Sequence, residues 1–287
     1  MILPDFVCPS RVNQCDEYTG IDTLECCRDR SHFMSFPHRV LYQYNSRGFR
    51  DAEWPCDLSN LQSSIWCLGD SFTVGIGSPV EHTWPYVLQH HTRTRTINVS
   101  MDGASNNWIS RKALQIIKDV EPKHLVIHWS YISRREQSID QAKENSWQKF
   151  YQNIADPSWP SCDWKHQHKL PSFIKDKIKT LHAPWNQLQV NDENRKLQSI
   201  NSTTEQDIEN TLACIDLVDS VATSTKIIHS FIPNFTPAGQ AKFVETRVKG
   251  TYIPEFIRLD WARDYHHYDI KTSNWFVKQL QHTLNLT

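Results

Sequence analysis

The sequence predicts an α/β fold with a parallel sheet, because short apolar runs alternate with helical patterns. The runs Ser64–Leu68, Thr94–Val99 and His124–Trp129 each stop close to turn-forming or polar residues. Runs of this length, bounded by turns, are typical of strands that are buried on both faces. The order strand, helix, strand, helix, strand then indicates βαβ units with right-handed crossovers.

Two helices are predicted between these strands, at Glu81–His91 and Asn106–Val120. In the second helix, Ser105 or Asn106 is a candidate N-cap and Pro122 stops the helix. Its apolar stripe, at helical spacing, consists of Ile109, Ala113, Ile116, Ile117 and Val120.

The second half continues the pattern with a helix at Thr203–Thr225, in which Thr203 and Gln206 fit a capping box. We predict strands at Lys226–Ile232 and Tyr252–Leu259 and a closing helix at Asn274–Leu284. The predicted inner stripe of the first helix is Ile208, Leu212, Ile215, Val218 and Val221, and that of the last is Phe276, Val277, Leu280 and Leu284.

Two segments depart from this rhythm. Residues 1–60 have few clear periods, and we interpret them as an irregular N-terminal extension packed on a core domain of residues 61–287. Residues 134–203 contain many Trp, Lys, Gln, Asn and His and four prolines. A structureless loop of this length is improbable, so we predict a partly helical insertion.

Charge and hydropathy exclude several classes of protein. The 287 residues include 31 Lys and Arg and 32 Asp and Glu, a net charge of −1, which does not fit a nucleic-acid binder. No apolar run approaches the length of a transmembrane helix, and the first residues do not form a signal peptide. We therefore expect a cytoplasmic protein that binds neither membrane nor nucleic acid; its oligomeric state is left open.

The cysteines and histidines give weak signals for a metal. The eight Cys do not repeat a C-x-x-C pattern, so we expect free thiols, with a metal site or disulfides as alternatives. Cys162, Asp163, His166 and His168 also contain ligand types, but they lack a second anchored element. We predict no metal and no organic cofactor.

The most informative segment is Gly69-Asp70-Ser71, which directly follows a predicted strand. Ligands of open α/β sheets bind beyond the carboxyl ends of the strands, so Ser71 lies where a site is expected. A dinucleotide loop at Gly75-x-Gly77 lacks its third glycine, no P-loop Gly-Lys-Ser/Thr is present, and Thr73 replaces the second glycine of a nucleophile elbow. Asp70 and Ser71 as a plain helix cap remains an alternative.

A serine nucleophile needs a base, and a candidate lies near the other end of the chain. Asp264 and His267 form D-x-x-H, and residues three apart in a helical turn or tight loop point to the same side. The carboxylate can then hold the imidazole in one tautomer while the second ring nitrogen faces Ser71. A solvated Asp/His loop is the alternative.

A strand ending in G-D-S together with a late D-x-x-H resembles the SGNH, or GDSL-type, hydrolases over about residues 44–284. Asn45-x-x-Gly48-Phe49-Arg50-Asp51 is similar to an approach segment found in many members. The resemblance implies a flavodoxin-like three-layer α/β/α sandwich and ester cleavage by a serine mechanism. It makes Ser71 the nucleophile, His267 the base and Asp264 the residue that orients it.

The resemblance also implies an oxyanion hole. Gly103, after Asn98-Val99-Ser100, matches the family's second block, so its N–H and that of Ser71 are candidate donors. The third block, Gly-x-Asn-Asp, is missing after His124–Trp129. Ser130 and Asn106 are tentative substitutes for its Asn, followed by Arg134, whose charge favours an anionic substrate or intermediate.

We therefore predict a serine hydrolase that acts on a small-molecule or carbohydrate ester, such as a short acyl or O-acetyl group. The alternatives are a non-catalytic carbohydrate- or partner-binding protein of the same fold, favoured by the missing Asn, and an O-acyltransferase. The insertion leaves the sheet at the Ser71 edge, so some of its aromatic residues are expected to line the pocket.

Overall fold

A computed structural model of the chain describes residues 8, 11–134, 204–233, 241–253 and 257–284. Its main sheet has five parallel strands in the order β4-β3-β5-β6-β7. The strands are β3 (Ile65–Gly69), β4 (Thr96–Ser100), β5 (His124–Trp129), β6 (Lys226–Phe231) and β7 (Thr251–Tyr252), and a separate antiparallel pair consists of β1 (Cys15–Asp16) and β2 (Tyr42–Gln43).

The strand order places the end of β3 at the point where the chain reverses its direction across the sheet. The chain passes from β3 outward to β4 and then returns to β5 on the other side of β3. In register, Gly69 at the end of β3 lies between Ser100 of β4 and His128 of β5. This is the flavodoxin-type order, and a crevice opens beyond the strand ends at such a switch point.

Helices cover both faces of the sheet and complete three layers. Helices α4 and α5 pack together, as do α3 and α7. The described helices are α1 (Arg30–Ser35), α2 (Ser71–Val74), α3 (Trp84–Thr92), α4 (Asn106–Val120), α5 (Thr204–Val221), α6 (Ala241–Arg247) and α7 (Ile270–Leu284), with 3₁₀ turns at Leu58–Leu61 and Val80–His82. The predicted α/β/α class is confirmed.

Helix α4 has the predicted bounds, and its predicted stripe is buried. The Ser105 side chain accepts a hydrogen bond from the Trp108 amide and is the N-cap, so of the two cap candidates Asn106 is the wrong one. In α5 the stripe is buried up to Val218, but Val221 is 40% exposed. Val221 is the last residue of the helix.

The last predicted strand, Tyr252–Leu259, is wrong in its extent, since β7 ends at Tyr252. The Leu259 amide instead donates to Thr272 Oγ1 of α7. The closing helix begins at Ile270, four residues before the predicted start. Asp260 accepts the amides of Asp269, Lys271 and Thr272, so a carboxylate outside the helix satisfies its first turn.

Part of the N-terminal segment packs into the main core. Phe49 and Trp54 stack with ring centroids 5.1 Å apart, and Trp54 meets the buried Trp66 of β3 edge-on at 5.9 Å. The predicted insertion lies outside the described residues except for Arg134. Within the described part of the chain, no helix combines the length and apolar character of a membrane span.

The buried His128 of β5 gives the fold a specific sensitivity to acid. Its Nδ1 lies 2.9 Å from Ser230 Oγ, and burial lowers the pKa of His128 from 6.5 to about 3. Below about pH 6.5, His128 therefore binds a proton in the unfolded chain but stays neutral in the folded chain. The free energy of unfolding therefore falls progressively as the pH is lowered from about 6.5 towards 3.

Replacing this histidine is expected to flatten the pH dependence of stability. We expect the fall in the free energy of unfolding between pH 7 and pH 5, measured by urea titration, to be about 2 kcal/mol smaller in His128→Asn than in the wild type. The exposed His91 on α3 supplies the control, His91→Asn. An equal pH dependence in His128→Asn and the wild type would contradict a neutral buried His128.

Candidate active site

Ser71 is the first residue of α2 and directly follows the strand β3. The Asp70 side chain caps the helix by accepting the Phe72 amide. The turn is tight: a Cβ on Gly69 would lie 2.3 Å from Thr73 Oγ1 and 2.9 Å from the His128 carbonyl oxygen. Glycine at this position lets the strand turn into the helix, and Ser71 comes to the carboxyl end of the central strand.

Three side chains from opposite ends of the sequence form a hydrogen-bonded row. Ser71 Oγ lies 2.8 Å from His267 Nε2, and His267 Nδ1 lies 2.6 Å from Asp264 Oδ2. An ionised carboxylate can only accept, so Nδ1 carries the hydrogen and Nε2 accepts from the serine hydroxyl. The structure thus brings together the serine, histidine and aspartate that the two motifs predict.

Asp264 is held in its charged form. Burial alone would raise its pKa, but His267 and the amides of His266 and His267, which donate to Oδ1 at 2.9 and 3.0 Å, lower it to about 2. The carboxylate is therefore ionised at neutral pH and fixes both the ring orientation and the tautomer of His267.

The neighbouring His266 has a different environment. Its ring lies 4.8 Å from the His267 ring and 6.0 Å from that of Phe72, and its buried Nδ1 has no hydrogen-bond partner in the described part of the chain. Burial lowers the pKa of His266 to about 3, with further lowering from the adjacent His267 ring and from the charges of Arg28 and Arg258. His266 is therefore neutral at pH 7 and takes no place in the row.

Gly77 lets the loop of Asp264 come close to α2. The Arg263 amide donates to the Gly77 carbonyl at 2.9 Å, and a Cβ on Gly77 would lie 2.8 Å from Ala262 Cβ and 3.1 Å from Asp264 Cγ. Gly75 ends α2 in the left-handed region, at φ 77°. The Gly75-x-Gly77 pair thus serves chain geometry around Ser71 and not a dinucleotide.

The N-terminal extension braces this loop from the other side. Arg263 donates to both carboxylate oxygens of the buried Asp22, at 3.0 and 2.6 Å. Tyr42 donates to Asp22 at 2.5 Å and accepts the Gly77 amide at 2.7 Å. Sequence reasoning missed Asp22, Tyr42 and Arg263, because no local pattern links residues so far apart in the chain.

Arg50, in the predicted approach segment, holds the end of α2. Its buried guanidinium donates to four carbonyl oxygens, those of Leu41, Val74, Gly75 and Ser78, at 2.6–3.1 Å. The guanidinium thus supplies hydrogen bonds to carbonyl groups at and after the end of α2, where the helix itself provides no further donors. The extension therefore contacts both parts of the candidate site, the helix of Ser71 and the loop of His267.

Gly103 adopts φ 75°, and a Cβ placed on it would meet no atom within 4 Å. The sharp turn after β4 therefore requires glycine, and the space beside it is open. Arg134 reaches the same region: its Nη1 donates to Asp70 Oδ2 at 2.9 Å and lies 3.4 Å from the Ala104 carbonyl oxygen.

The two tentative oxyanion donors make other hydrogen bonds. Ser130 Oγ donates to Asp70 at 2.7 Å. Asn106 Nδ2 donates to the Ser130 carbonyl and to Thr211 Oγ1, and its Oδ1 accepts the Ser130 amide. Both N–H groups of the Asn106 amide are used, so this side chain acts as a link between α4, β5 and α5. These hydrogen bonds do not favour either Ser130 or Asn106 as a donor to the oxyanion of a bound ester.

No known family profile matches the sequence, and no curated protein does. Solved structures with a similar fold include that of TesA, at 12% identity over 77% of this chain and 98% of that chain, with a TM-score of 0.44. A psychrotrophic esterase, EstA from Pseudoalteromonas sp., is 13% identical over 78% and 97%, with a TM-score of 0.41. An acetyl xylan esterase from Butyrivibrio proteoclasticus is 10% identical over 82% and 67%, with a TM-score of 0.43.

Gly77 and Gly103, at φ 79° and 75°, allow a matched test of the close approach at Gly77. Gly77→Ala and Gly103→Ala both place a Cβ at positive φ, which costs about 1–2 kcal/mol. Only at Gly77 does the new atom also meet Ala262 and Asp264. We expect Gly77→Ala to lower the free energy of unfolding by more than Gly103→Ala, as measured by urea titration. Equal losses would show that the loop does not press on Gly77.

Proposed function

We propose that this chain is a serine hydrolase of the SGNH type that cleaves an ester through an acyl-enzyme on Ser71. The observation that carries the proposal is the row Asp264–His267–Ser71, with hydrogen bonds of 2.6 and 2.8 Å. A helix cap or a solvated loop does not need a histidine held between a buried carboxylate and a serine hydroxyl. The sequence blocks around Ser71, Gly103 and His267 support the same class.

In the first half-reaction, Ser71 Oγ attacks the ester carbonyl carbon while its proton passes to His267 Nε2. The imidazolium is stabilised by the ionised Asp264. It then gives the proton to the departing alkoxide as the carbon–oxygen bond of the ester breaks, which leaves an alcohol and an acyl group on Ser71.

In the second half-reaction, water attacks the acyl-enzyme. His267 takes a proton from the water and returns it to Ser71 Oγ as the acyl bond breaks. A second alcohol in place of water would give an O-acyltransferase with the same residues in the same roles. The first half-reaction is common to both, and the acceptor that reaches the acyl-enzyme decides between them.

The oxyanion formed in each step needs donors, and we assign the backbone N–H groups of Ser71 and Gly103 to this role. Ser130 and Asn106 instead stabilise the crevice walls through Asp70, β5 and α5. Because the Asn of the family's third block is missing, we expect measurable turnover of p-nitrophenyl acetate, whose leaving group is good, and weaker turnover of alkyl esters.

We propose a short acyl group as the substrate's reacting part, and an O-acetyl group on a carbohydrate is one such ester. The support is access: the side chains of Ser71 and His267 are each only 3% exposed. Phe72 and Tyr131, with ring centroids 6.4 Å apart, add apolar surface next to the nucleophile. A small acyl group fits such a setting better than a long chain.

The two adjacent histidines provide the central test. We expect Ser71→Ala and His267→Ala to abolish p-nitrophenyl acetate turnover, with losses on the order of 10³-fold or more, because nucleophile and base act as a unit. His266→Ala is the matched control and is expected to retain much of the activity. A fluorophosphonate probe is expected to label the wild type at Ser71, as located by peptide mass spectrometry.

If the wild type neither turns over the ester nor reacts with the probe, the non-catalytic binding protein becomes the better interpretation. If His266→Ala loses activity and His267→Ala keeps it, the base has been assigned to the wrong residue.

Ser130→Ala tests the oxyanion assignment. Because the Ser130 hydroxyl donates to Asp70, we expect kcat for p-nitrophenyl acetate to change by less than about threefold, whereas loss of an oxyanion donor costs about 10²–10³-fold. Asn106→Ala is measured beside it, with thermal unfolding to separate stability from rate. A 100-fold fall of kcat in folded Ser130→Ala would restore Ser130 as a donor.

A further inference from the structure

Arg258 is a partly buried cation without a counter-ion in the described part of the chain. Its guanidinium carbon lies 4.3 Å from the Trp261 ring centroid and 5.9 Å from that of Phe72. Its buried Nε has no hydrogen-bond partner among the residues that the structure describes. The rings hold the guanidinium in place by cation–π contacts, which leave its N–H groups in need of acceptors.

The second arginine is Arg28, an exposed residue whose charge acts on Arg258 and which has no carboxylate partner among the described residues. The Arg28 amide donates to the Asp264 carbonyl oxygen at 3.1 Å, which anchors this residue of the extension to the loop of the candidate triad. Burial lowers the pKa of Arg258, and the charge of Arg28 adds to this fall, against opposing effects of Tyr131 and Asp264. Two like charges near each other are destabilising unless an anion lies between or beside them.

Tyr131 adds a hydroxyl to the same place. It follows β5, and its ring lies 5.0 Å from the guanidinium carbon of Arg134. Burial and Asp70 raise the pKa of Tyr131, while Arg134, Arg258 and Arg28 oppose the rise. The phenol is therefore protonated at neutral pH and lies within the field of three arginines.

The two nearby carboxylates are already engaged. Asp70 accepts hydrogen bonds from Ser130 and Arg134, and Asp264 accepts from His267. Neither is paired with Arg28 or Arg258 among the described residues. Among the described residues, the positive charge of Arg258 and Arg28 beside Ser71 is thus not neutralised by a paired carboxylate.

This charge lies close to the reacting group. Phe72 is the residue after Ser71. Its ring centroid lies 4.6 Å from the ring centroid of His267 and 5.9 Å from the guanidinium carbon of Arg258. One small molecule can therefore place its ester at Ser71 and a second group at Arg258.

We propose that Arg258, with Arg28 and Tyr131, forms a binding site for an anionic oxygen group of the substrate, so that the enzyme selects esters that carry a negative charge. A carboxylate or sulfonate accepts two hydrogen bonds from the guanidinium fork and lies between the two arginine charges. The inference rests on the proposed ester hydrolysis at Ser71 for its setting but concerns substrate choice.

The test compares esters that differ in charge. The anionic probes are 3-acetoxybenzoate, 4-acetoxybenzoate and 4-acetoxybenzenesulfonate, and the neutral probes are the methyl esters of the two benzoates. Each kcat/KM is divided by the uncatalysed rate of the same ester. We expect the wild type to prefer at least one anionic probe by about 10- to 100-fold, as charge-assisted hydrogen bonds of this kind predict.

The variants separate the pocket from the chemistry. Arg258→Gln is expected to remove the preference while turnover of the neutral esters continues, and Arg258→Lys is expected to keep part of it. Arg247→Gln, at an exposed arginine of α6 that pairs with Glu209, is the matched control and is expected to leave the preference unchanged.

Binding to Ser71→Ala, measured by titration calorimetry with the same probes, tests the pocket without turnover. If anionic probes bind more tightly than neutral ones and Arg258→Gln removes the difference, the pocket stands even if hydrolysis at Ser71 fails. If the enzyme turns over neutral and anionic esters equally, or if Arg258→Gln leaves the preference intact, the anionic pocket is overturned while the proposed function stands.

Discussion

The four hydrogen bonds of Arg50 are the constraint on which the rest of the candidate site depends. A helix as short as α2 makes few hydrogen bonds of its own, and its last carbonyls face the protein interior. The buried guanidinium is always charged and can only donate hydrogen bonds. It therefore needs these carbonyl oxygens as acceptors, and the carbonyl oxygens in turn receive donors from it. This mutual requirement fixes the turn after Ser71, and with it the position of Gly77.

From Gly77 the same kind of hydrogen bonding extends to the loop that carries His267. The Gly77 amide and carbonyl connect to Tyr42 and Arg263, and Arg263 connects to Asp22. The hydrogen bonds of this network join segments that are distant in sequence. Networks of this kind specify one arrangement because any displacement leaves a buried donor or acceptor unpaired. Ser71 and His267 are thus held at hydrogen-bond distance by polar contacts as well as by the apolar core.

The sequence predicted those parts of the molecule that depend on local patterns. The buried runs from Ile65 to Phe231 and helix α4 follow from hydrophobic periodicity, and two short motifs located Ser71 and the Asp264–His267 pair. It failed where a distant group decides the local structure. Helix α7 starts early because Asp260 accepts its first amides. Ser130 follows a predicted strand and Asn106 begins a predicted helix, but their side chains bind Asp70 and Thr211. Periodicity places a residue at a site; it does not say which partner its side chain takes.

The hydrogen bond between Ser71 and His267 spans 196 residues, and this separation has a consequence for biosynthesis. A nascent chain that has exposed β3, β4 and β5 to solvent can begin to pair these strands, yet the acceptor of the Ser71 hydroxyl is still to be translated. The separation between Asp22 and its partner Arg263 is even larger, at 241 residues. The Ser71 hydroxyl therefore passes through most of synthesis without His267, and the hydrogen-bonded row of the candidate site forms only when these distant segments have met.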